Sequence, residues 1–432
     1  MYAHLQRIAP RAVPLLDRAC QALDLAALAS GGRRLGALSA ERRLALMQRW
    51  ALDSGPVGGL FTVVAIALKL LYFDRPEIYE LFDQPHDKAP ARPEPPPAHV
   101  QERAAPGHER ADEELEAEVV VVGSGAAGAI VAKELAQRGH AVLMVEAGRY
   151  FRRDSFDGHF LTAASTFYHW RPENIVLGNV AIAVPTGATV GGSTTINTAT
   201  SFRPLHWVHD DWVAMGLPEL SRERMAPYFE EVEAALQIEP TPRELWGRHV
   251  ERMAELLDRR GLSHGPIRRN APDCDGQNAC DYGCPSGGKY SMDVTYVPWA
   301  LRHGAQLLTE TRLERVLLRG RRVRGVRLVS GGRRFQVAAR RVVLCCGTFA
   351  TPRVLWDLGL GGEAVGRNPT IHPSVTVQAR LPEPVSGFGR LVPSSHQVDQ
   401  FGDQRLMLIS ANLPLDFGAV PLPLVGPELM RE

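Results

Sequence analysis

The sequence predicts an α/β fold built on a parallel sheet, with a helical region before it and the start of an antiparallel sheet after it. An unbroken β-branched run at 119–122 is typical of a strand buried on both faces. A glycine-rich turn and a helical segment at 129–138 follow, and a second apolar run at 141–145 ends at Glu146. This order of strand, turn, helix and strand is the βαβ unit from which parallel sheets are built.

Length and composition place the chain among ordinary globular proteins. Its 432 residues are enough for two or three domains, and 45% hydrophobic with 22% charged residues is a usual globular composition. The net charge of +1 gives no electrostatic reason to expect nucleic acid as a partner.

The cysteines indicate a reducing compartment. Three of the six crowd into residues 274–284, Cys345 and Cys346 are adjacent, and Cys20 is alone. This spacing is unlike a disulfide framework, and the residues after Met1 lack the pattern of a signal peptide. We therefore expect a cytoplasmic protein. The apolar segment at 58–73 leaves membrane association as an alternative.

Residues 1–84 are predicted to form an N-terminal helical region. Within it, residues 58–73 are the most apolar stretch of the chain, too short for a comfortable membrane span and carrying Lys69 near the end. A buried helix is the simpler interpretation, and peripheral membrane contact is the alternative. Residues 85–115 hold seven prolines among charged residues and are predicted to be a linker, because such a composition buries little apolar surface.

The turn after the first buried strand has the spacing G-x-G-x-x-G. Gly123 suits the sharp turn, Gly125 leaves room for a pyrophosphate beside the backbone, and Gly128 allows the helix to pack close to the strand. The helix N-terminus faces the phosphates, and Glu146 at the tip of the next strand can accept hydrogen bonds from a ribose. The unit predicts that the chain binds a dinucleotide, and it fits NAD and FAD equally well.

A second glycine-rich block occupies residues 181–204. It contains Gly191 and Gly192, followed by a run of small hydroxyl residues that begins at Ser193. Asn197 comes shortly after that run. Such a backbone can lie against a flat ligand, although glycine-rich surface loops have the same composition. Both interpretations stay open at this point.

The remaining chain alternates helical and strand patterns. Amphipathic helices are predicted at 210–236, 242–260 and 350–358, and strands at 306–310, 313–319, 323–329, 335–338, 342–346, 375–381 and 404–413. The strands between 306 and 338 are separated by short glycine-containing turns, which favours hairpins.

Four blocks together resemble the glucose–methanol–choline (GMC) oxidoreductases, flavoproteins that oxidise alcohols. They are the unit VVVVGSGAAG…VEAG, TVGGSTTIN at 189–197, VVLCCGTFATPRVL at 342–355 and VGRNPTIHP at 365–373. The resemblance covers residues 117–432. The loop at 273–300 and the helical N-terminal region are most similar to the long-chain fatty alcohol oxidase branch.

The resemblance implies FAD as the cofactor and a division of the chain. It implies an FAD-binding domain at 116–373 with an inserted loop at 264–300, and a partial substrate-binding domain at 374–432. It places the turn at the pyrophosphate, Glu146 on the adenosine ribose, the small residues beside the isoalloxazine, the backbone of Val316 near the adenine and Gly347 beside the pyrophosphate. The implied cofactor-binding residues are Gly123, Ser124, Gly125, Ala126, Ala127, Gly128, Glu146, Gly192, Ser193, Asn197, Val316 and Gly347.

The activity implied is oxidation of a long-chain alcohol to an aldehyde by hydride transfer to flavin N5. The family carries its catalytic histidine in a further segment, and no matching run follows Pro373, so we expect a C-terminally truncated chain with the catalytic residue unknown. Structural or surface roles are expected for His372 and His396. Alternatives are a dye- or cytochrome-linked dehydrogenase of sugars or cyclic alcohols, and a non-catalytic flavin-binding remnant. The expected partner is a small alcohol, and the oligomeric state is open.

Cys274, Cys280 and Cys284 lie close together in a glycine-rich segment. Thiols at this spacing are candidates for an iron–sulfur cluster, and zinc would need a fourth ligand. The simplest interpretation is a packed loop with reduced thiols, which we favour.

Overall fold

The computed structural model describes residues 13–51, 55–81, 96–169, 182–371 and 390–412, together with residues 6, 53, 86, 175–176, 374–375, 377 and 414. It divides into two compact units. The first contains Met1–Lys88, His159–Ser165 and Asn412–Glu432, and the second contains Ala89–Gly158 and Thr166–Ala411.

The regular elements follow in chain order. The helices are α1 (Val13–Gly31), α2 (Ala40–Ala51), α3 (Pro56–Phe73), α4 (Pro76–Leu81), α5 (Ala98–Arg103), α6 (Ala126–Gln137), α7 (Phe160–Thr166), α8 (His206–Ala214), α9 (Arg222–Ala235), α10 (Arg248–Arg259), α11 (Tyr296–Arg302) and α12 (Gly347–Asp357). The strands are β1 (Ala104–Pro106), β2 (Leu115–Val122), β3 (Val142–Val145), β4 (Tyr168–His169), β5 (Ile175–Val176), β6 (Ile182–Ala183), β7 (Thr186–Gly187), β8 (Glu239–Pro240), β9 (His264–Pro266), β10 (Arg268–Arg269), β11 (Gln306–Thr309), β12 (Arg312–Arg319), β13 (Arg322–Ser330), β14 (Arg333–Leu344), β15 (His396–Val398) and β16 (Leu408–Ile409).

The first unit is helical, as the sequence predicts. Its core is a cluster of apolar side chains from α1, α2 and α3, with Leu23, Trp50 and Phe61 at its centre. Helix α3 is the one helix of the described chain that is long and apolar enough to cross a membrane, by length and composition only, and 28% of it is buried. The helix expected to be buried is therefore buried over only a minor part, and Val63 on it is 65% exposed. Peripheral membrane contact stays a prediction.

The second unit is organised by a seven-stranded sheet with the order β1-β11-β3-β2-β14-β13-β12. Five neighbouring strands of this sheet, β1, β11, β3, β2 and β14, are parallel to one another, which confirms the predicted α/β class. The β-branched run of β2 lies at the centre, where Val120 pairs with Leu143 on one side and with Val342 on the other. Helices α6 and α11 cover one face of the sheet, where Val121 packs against Ala132 and Val297.

Strand β14 corrects the prediction of two separate strands at 335–338 and 342–346. It is one strand of 12 residues, antiparallel to β13 over its first half and parallel to β2 over its second half. The sequence pattern changes along it because the first half alternates between buried and exposed side chains. The second half ends in the apolar run 342–344, which pairs in parallel with the central valines of β2.

The predicted linker also needs correction in its second half. Residues 98–106 form α5 and the edge strand β1, which pairs in parallel with β11. Val100 is only 2% exposed and belongs to the core. The prolines do not prevent this order, because Pro97 precedes a helix and Pro106 ends an edge strand, where a missing N–H is tolerated. Residues 82–85 and 87–95 lie outside the described part of the chain.

The predicted partial substrate domain is described mainly at 390–412. There, β15 is the middle strand of a three-stranded antiparallel sheet with β16 and β9. The strand expected at 404–413 is shorter, at Leu408–Ile409, and most of the one expected at 375–381 lies outside the described residues, as does His372. The domain boundaries remain predictions.

Candidate functional site

The glycine turn lies between the carboxyl end of β2 and the N-terminus of α6. Gly123 has a φ of +102°, and a Cβ there would lie 2.2 Å from the carbonyl oxygen of Cys345. A Cβ on Gly128 would lie 1.9 Å from the carbonyl oxygen of Gly123. Both positions therefore require glycine for the backbone itself to pack.

Gly125 is different, because space remains where its side chain would be. Its φ is −67°, and the nearest atom to an added Cβ is the Cα of Gly192, at 4.0 Å. It is the N-cap of α6 and provides no side-chain cap, so no side chain covers the amides of Ala126 and Ala127 in the first turn. An open turn before uncapped amides fits a bound pyrophosphate.

Ser124 joins three segments of the site through its buried hydroxyl. The hydroxyl donates to Oε2 of Glu146 at 2.7 Å, and the Ser124 amide donates to the same oxygen at 2.9 Å. The amide of Gly191 in turn donates to the hydroxyl at 3.1 Å. Its side chain therefore holds the turn, the tip of β3 and the second glycine block together.

Glu146 ends β3 where the sequence predicts a ribose-binding carboxylate. It is 7% exposed, and its Oε1 accepts one hydrogen bond, from the amide of Gly148 at 2.9 Å. Because a carboxylate oxygen can accept two hydrogen bonds, Oε1 keeps one acceptor position for a ligand. The carboxylate therefore fits a ribose hydroxyl while also holding the turn in place.

The second glycine block packs directly on the first. Gly191 and Gly192 both have positive φ, and a Cβ on Gly192 would lie 3.0 Å from the Cα of Gly125. Ser193 and Asn197 are exposed at the ends of the short 3-10 helix that follows. The Ser193 hydroxyl accepts from the amide of Gly187 at 3.0 Å, and the Asn197 side chain accepts from the amide of Ala199 at 3.1 Å.

The structure brings Gly347 to the site but not Val316. Gly347 begins α12 two residues after Cys345, whose amide donates to Val122 at 2.8 Å. Val316 lies in the edge strand β12, on the opposite side of β2 from β3, and its backbone pairs with Val326. The segment that reaches Glu146 instead is the turn before β12, where the amide of Thr311 donates to the Glu146 carbonyl at 2.8 Å. The adenine contact of Val316 stays a prediction.

Sequence reasoning missed Lys289, which is fully buried. Its ammonium donates to three carbonyl oxygens, those of Thr195 and Asn197 at 2.8 Å and that of Cys280 at 2.7 Å. It thus attaches the cysteine loop to the second glycine block. Since lysine is almost always exposed, nothing in the local sequence marked this residue.

The three clustered cysteines are free thiols, and two of them, Cys274 and Cys280, contact Arg269. Its guanidinium donates to the sulfur of Cys280 at 3.0 Å and to that of Cys274 at 3.7 Å. The three sulfur atoms of this loop do not all lie within 4.8 Å of one another. Burial raises the pKa of the Cys280 thiol to about 12, which favours the neutral thiol over a metal-binding thiolate. The arrangement fits the packed loop better than the iron–sulfur candidates.

His396 lies inside the second unit, 1% exposed. Its Nε2 is 2.8 Å from Nδ1 of His264, whose Nε2 is 3.1 Å from the carboxylate of Asp258, and Trp246 packs edge-on against it. Burial lowers the pKa of His396 to about 4, with a smaller contribution from His264. This environment agrees with the expected structural role.

His396 should make the protein sensitive to acid. Its folded-state pKa lies below the ordinary value of 6.5, so the unfolded chain binds the proton more tightly. The stability that its neutral form contributes is complete above pH 6.5 and is lost as the pH falls towards 4, by roughly 3 kcal/mol at most. Urea unfolding of His396→Gln at several pH values should show a flatter acid limb than the parent protein. The control His303→Gln, at an exposed histidine, should lose stability with falling pH as the parent does. If His396→Gln also lost stability as steeply as the parent, the lowered pKa of His396 would be contradicted.

Comparison with known proteins adds four findings. The family model described as GMC oxidoreductase matches residues 117–374. An uncharacterized GMC-type oxidoreductase of Mycobacterium tuberculosis is 31% identical over 97% of this chain and 67% of its own length. A long-chain-alcohol oxidase of Arabidopsis thaliana is 28% identical over 66% of this chain, which spans 40% of that protein. Among solved structures, pyridoxine 4-oxidase from Mesorbium loti aligns with 56% of this chain and 51% of its own at 20% identity and a TM-score of 0.44.

Proposed function

The chain belongs to the GMC oxidoreductase family, whose members act on CH–OH groups with FAD, and on this premise we propose that it oxidises a long-chain primary alcohol to the aldehyde. Two observations support the long-chain substrate. Arabidopsis long-chain-alcohol oxidases are among its relatives, at 28% and 27% identity. The cysteine loop at 273–300 has the sequence typical of that branch.

The cofactor is FAD, and the residues of the site fit it. The open turn at Gly125 and the uncapped amides of α6 would hold the pyrophosphate, and Glu146 would accept from the adenosine ribose. The second glycine block, with Ser193 and Asn197, would lie against the isoalloxazine. Bound FAD supplies the hydride acceptor, its N5 atom.

The protein's own contribution to this site is rigidity. Hydrogen bonds of Ser124 with Glu146 and with the amide of Gly191 join the two glycine blocks. Lys289 holds the second block by donating to the carbonyl of Asn197. Because hydride transfer requires close, aligned atoms, a cofactor that binds to segments already fixed by buried hydrogen bonds would be positioned without further ordering of the protein. The single observation that carries the proposal is this packing of Gly192 against Gly125 at the mouth of the parallel sheet.

Gly125→Ala provides a test of FAD binding that leaves the fold in place. The new methyl group meets no atom closer than 4.0 Å, so the apo protein should lose less than about 1 kcal/mol of stability. The same methyl group occupies the space of the pyrophosphate, so the Kd for FAD should rise at least about tenfold, or ~1.4 kcal/mol. Titration of flavin fluorescence measures the affinity, and Gly59→Ala on α3, with no atom within 4 Å, is the control. Equal affinity of parent and Gly125→Ala would contradict the assigned turn.

The substrate is tested with the FAD-loaded chain in the absence of oxygen. Dodecanol and hexadecanol should bleach the visible flavin absorption only slowly, because no catalytic histidine of the family type was found after Pro373, while glucose and choline should leave it unchanged. Bleaching by sugars but not by long-chain alcohols would support the dehydrogenase alternative instead. Bound flavin that no alcohol reduces would contradict the proposed reaction.

A further inference from the structure

Three side chains of metal-binding types meet in the first unit. They are Asp74, directly after α3, His86, and His159, directly before α7. One possible ligand atom of each lies within 4.8 Å of the others. His159 Nδ1 is 2.7 Å from Oδ1 of Asp74, and His86 Nε2 is 4.0 Å from the same oxygen and 3.1 Å from the Asp74 carbonyl.

The cluster is enclosed. The Asp74 side chain is 2% exposed, and those of His159 and His86 are 12% and 21% exposed. The two imidazole rings lie 4.4 Å apart between centroids, and the buried ring of Tyr79 packs edge-on against both, at 5.1 and 6.5 Å. The Asp74 amide donates to the carbonyl of Leu70 and caps α3. The ligand atoms are therefore held by the ring of Tyr79 and by the end of α3.

We propose that Asp74, His86 and His159 form a zinc site. Two imidazoles and one carboxylate are a donor set that Zn²⁺ and similar divalent transition metals bind, with water in the remaining position. In a tetrahedral site with bonds of about 2.0–2.1 Å, the ligand atoms are separated by roughly 3.3 Å. The observed separations of 2.7 to 4.0 Å bracket that value, so small side-chain movements complete the geometry.

Zinc binding at this site needs only a rearrangement of the ring protons. Without metal, the imidazole N–H groups of His86 and His159 both point at oxygens of Asp74. On binding, Zn²⁺ takes the lone pair of each of these two ring nitrogens, the single proton of each neutral imidazole moves to its other ring nitrogen, and no proton is lost and no electron is transferred. The metal would tie Asp74 to His159, 85 residues further along the chain, and so clasp α3 to the start of α7. This role is independent of the flavin reaction.

The test uses the full chain, freed of metal with a chelator and then dialysed against Zn²⁺ alone. We expect one zinc per chain by elemental analysis and a higher melting temperature with zinc than without. His86→Gln should weaken Zn²⁺ binding at least about a hundredfold. It keeps the bond between Asp74 and His159, and circular dichroism will show whether the variant folds. As a control, His140→Gln, which removes a half-buried histidine paired with Glu118, should bind zinc like the parent.

Cobalt substitution separates this site from the cysteine loop. Co²⁺ bound by nitrogen and oxygen should give visible absorption without a thiolate charge-transfer band, and the signal should vanish in His86→Gln. Zinc bound equally by His86→Gln and the parent, a thiolate band, or a parent protein without zinc after dialysis would each overturn the proposal. Because the readouts are metal content and spectra, they do not depend on FAD or on alcohol oxidation.

Discussion

Replacing Lys289 with methionine should lower the free energy of unfolding by about 3 kcal/mol or more, because three buried carbonyl oxygens lose a charged hydrogen-bond donor. The variant would keep most of the side-chain volume and remove the three hydrogen bonds to Thr195, Asn197 and Cys280. Each of these carbonyl oxygens would lose a charged donor inside the protein, at about 1–3 kcal/mol apiece before relaxation.

The same change should also weaken the cofactor site. Lys289 holds the second glycine block, so its loss should loosen Gly192 against Gly125 and reduce the affinity for FAD. Urea unfolding measures the first effect and flavin titration the second. Lys133→Met on α6 is the matched control: its ammonium is partly exposed beside Glu134 and should contribute within about 0.5 kcal/mol. A Lys289→Met protein as stable as the parent would show that the buried ammonium is dispensable.

Replacing Gly128 with alanine should destabilise the protein by about 3 kcal/mol or more. The added Cβ would lie 1.9 Å from the carbonyl oxygen of Gly123 and 3.2 Å from the side chain of Cys345, so helix α6 would have to move away from β2. Alanine is the better helix former by about 1 kcal/mol, but that gain is smaller than the cost of separating helix and sheet. Lower soluble yield, and an earlier urea midpoint for the protein recovered, are the expected measurements.

Gly139→Ala is the matched control, at the other end of the same helix. Its φ is +85°, yet no atom lies within 4 Å of the added Cβ, so only the backbone strain of about 1–2 kcal/mol should appear. If the two alanine variants were equally stable, close packing of helix on strand would not explain Gly128.

The sequence was sufficient for the parts of the site that depend on backbone conformation. Gly123 and Gly128 are constrained by main-chain atoms nearby in the fold, and the G-x-G-x-x-G spacing reports that constraint directly. Glu146 follows from the same unit, because the carboxyl end of a parallel strand beside the turn is fixed by the topology. The local spacing was enough to predict these residues, although the atom that excludes a side chain at Gly123 is the carbonyl oxygen of Cys345, far along the chain.

Features that depend on distant contacts could not be predicted in this way. Lys289 is buried only because three carbonyls from two other segments surround it. His86 and His159 meet Asp74 across 12 and 85 residues, which no local spacing can show. The order of residues 98–106 depends on pairing with β11 about 200 residues later, so its proline-rich composition was misleading.

The position of β14 has a consequence for biosynthesis. Strand β2 finds β3 at once on the ribosome, but its other neighbour is made only after more than two hundred further residues have been translated. Until then the central valines present an unpaired edge, the kind of surface on which nascent chains associate with one another. We therefore expect the nascent chain to depend on chaperones during translation until the residues up to Leu344 have been synthesised.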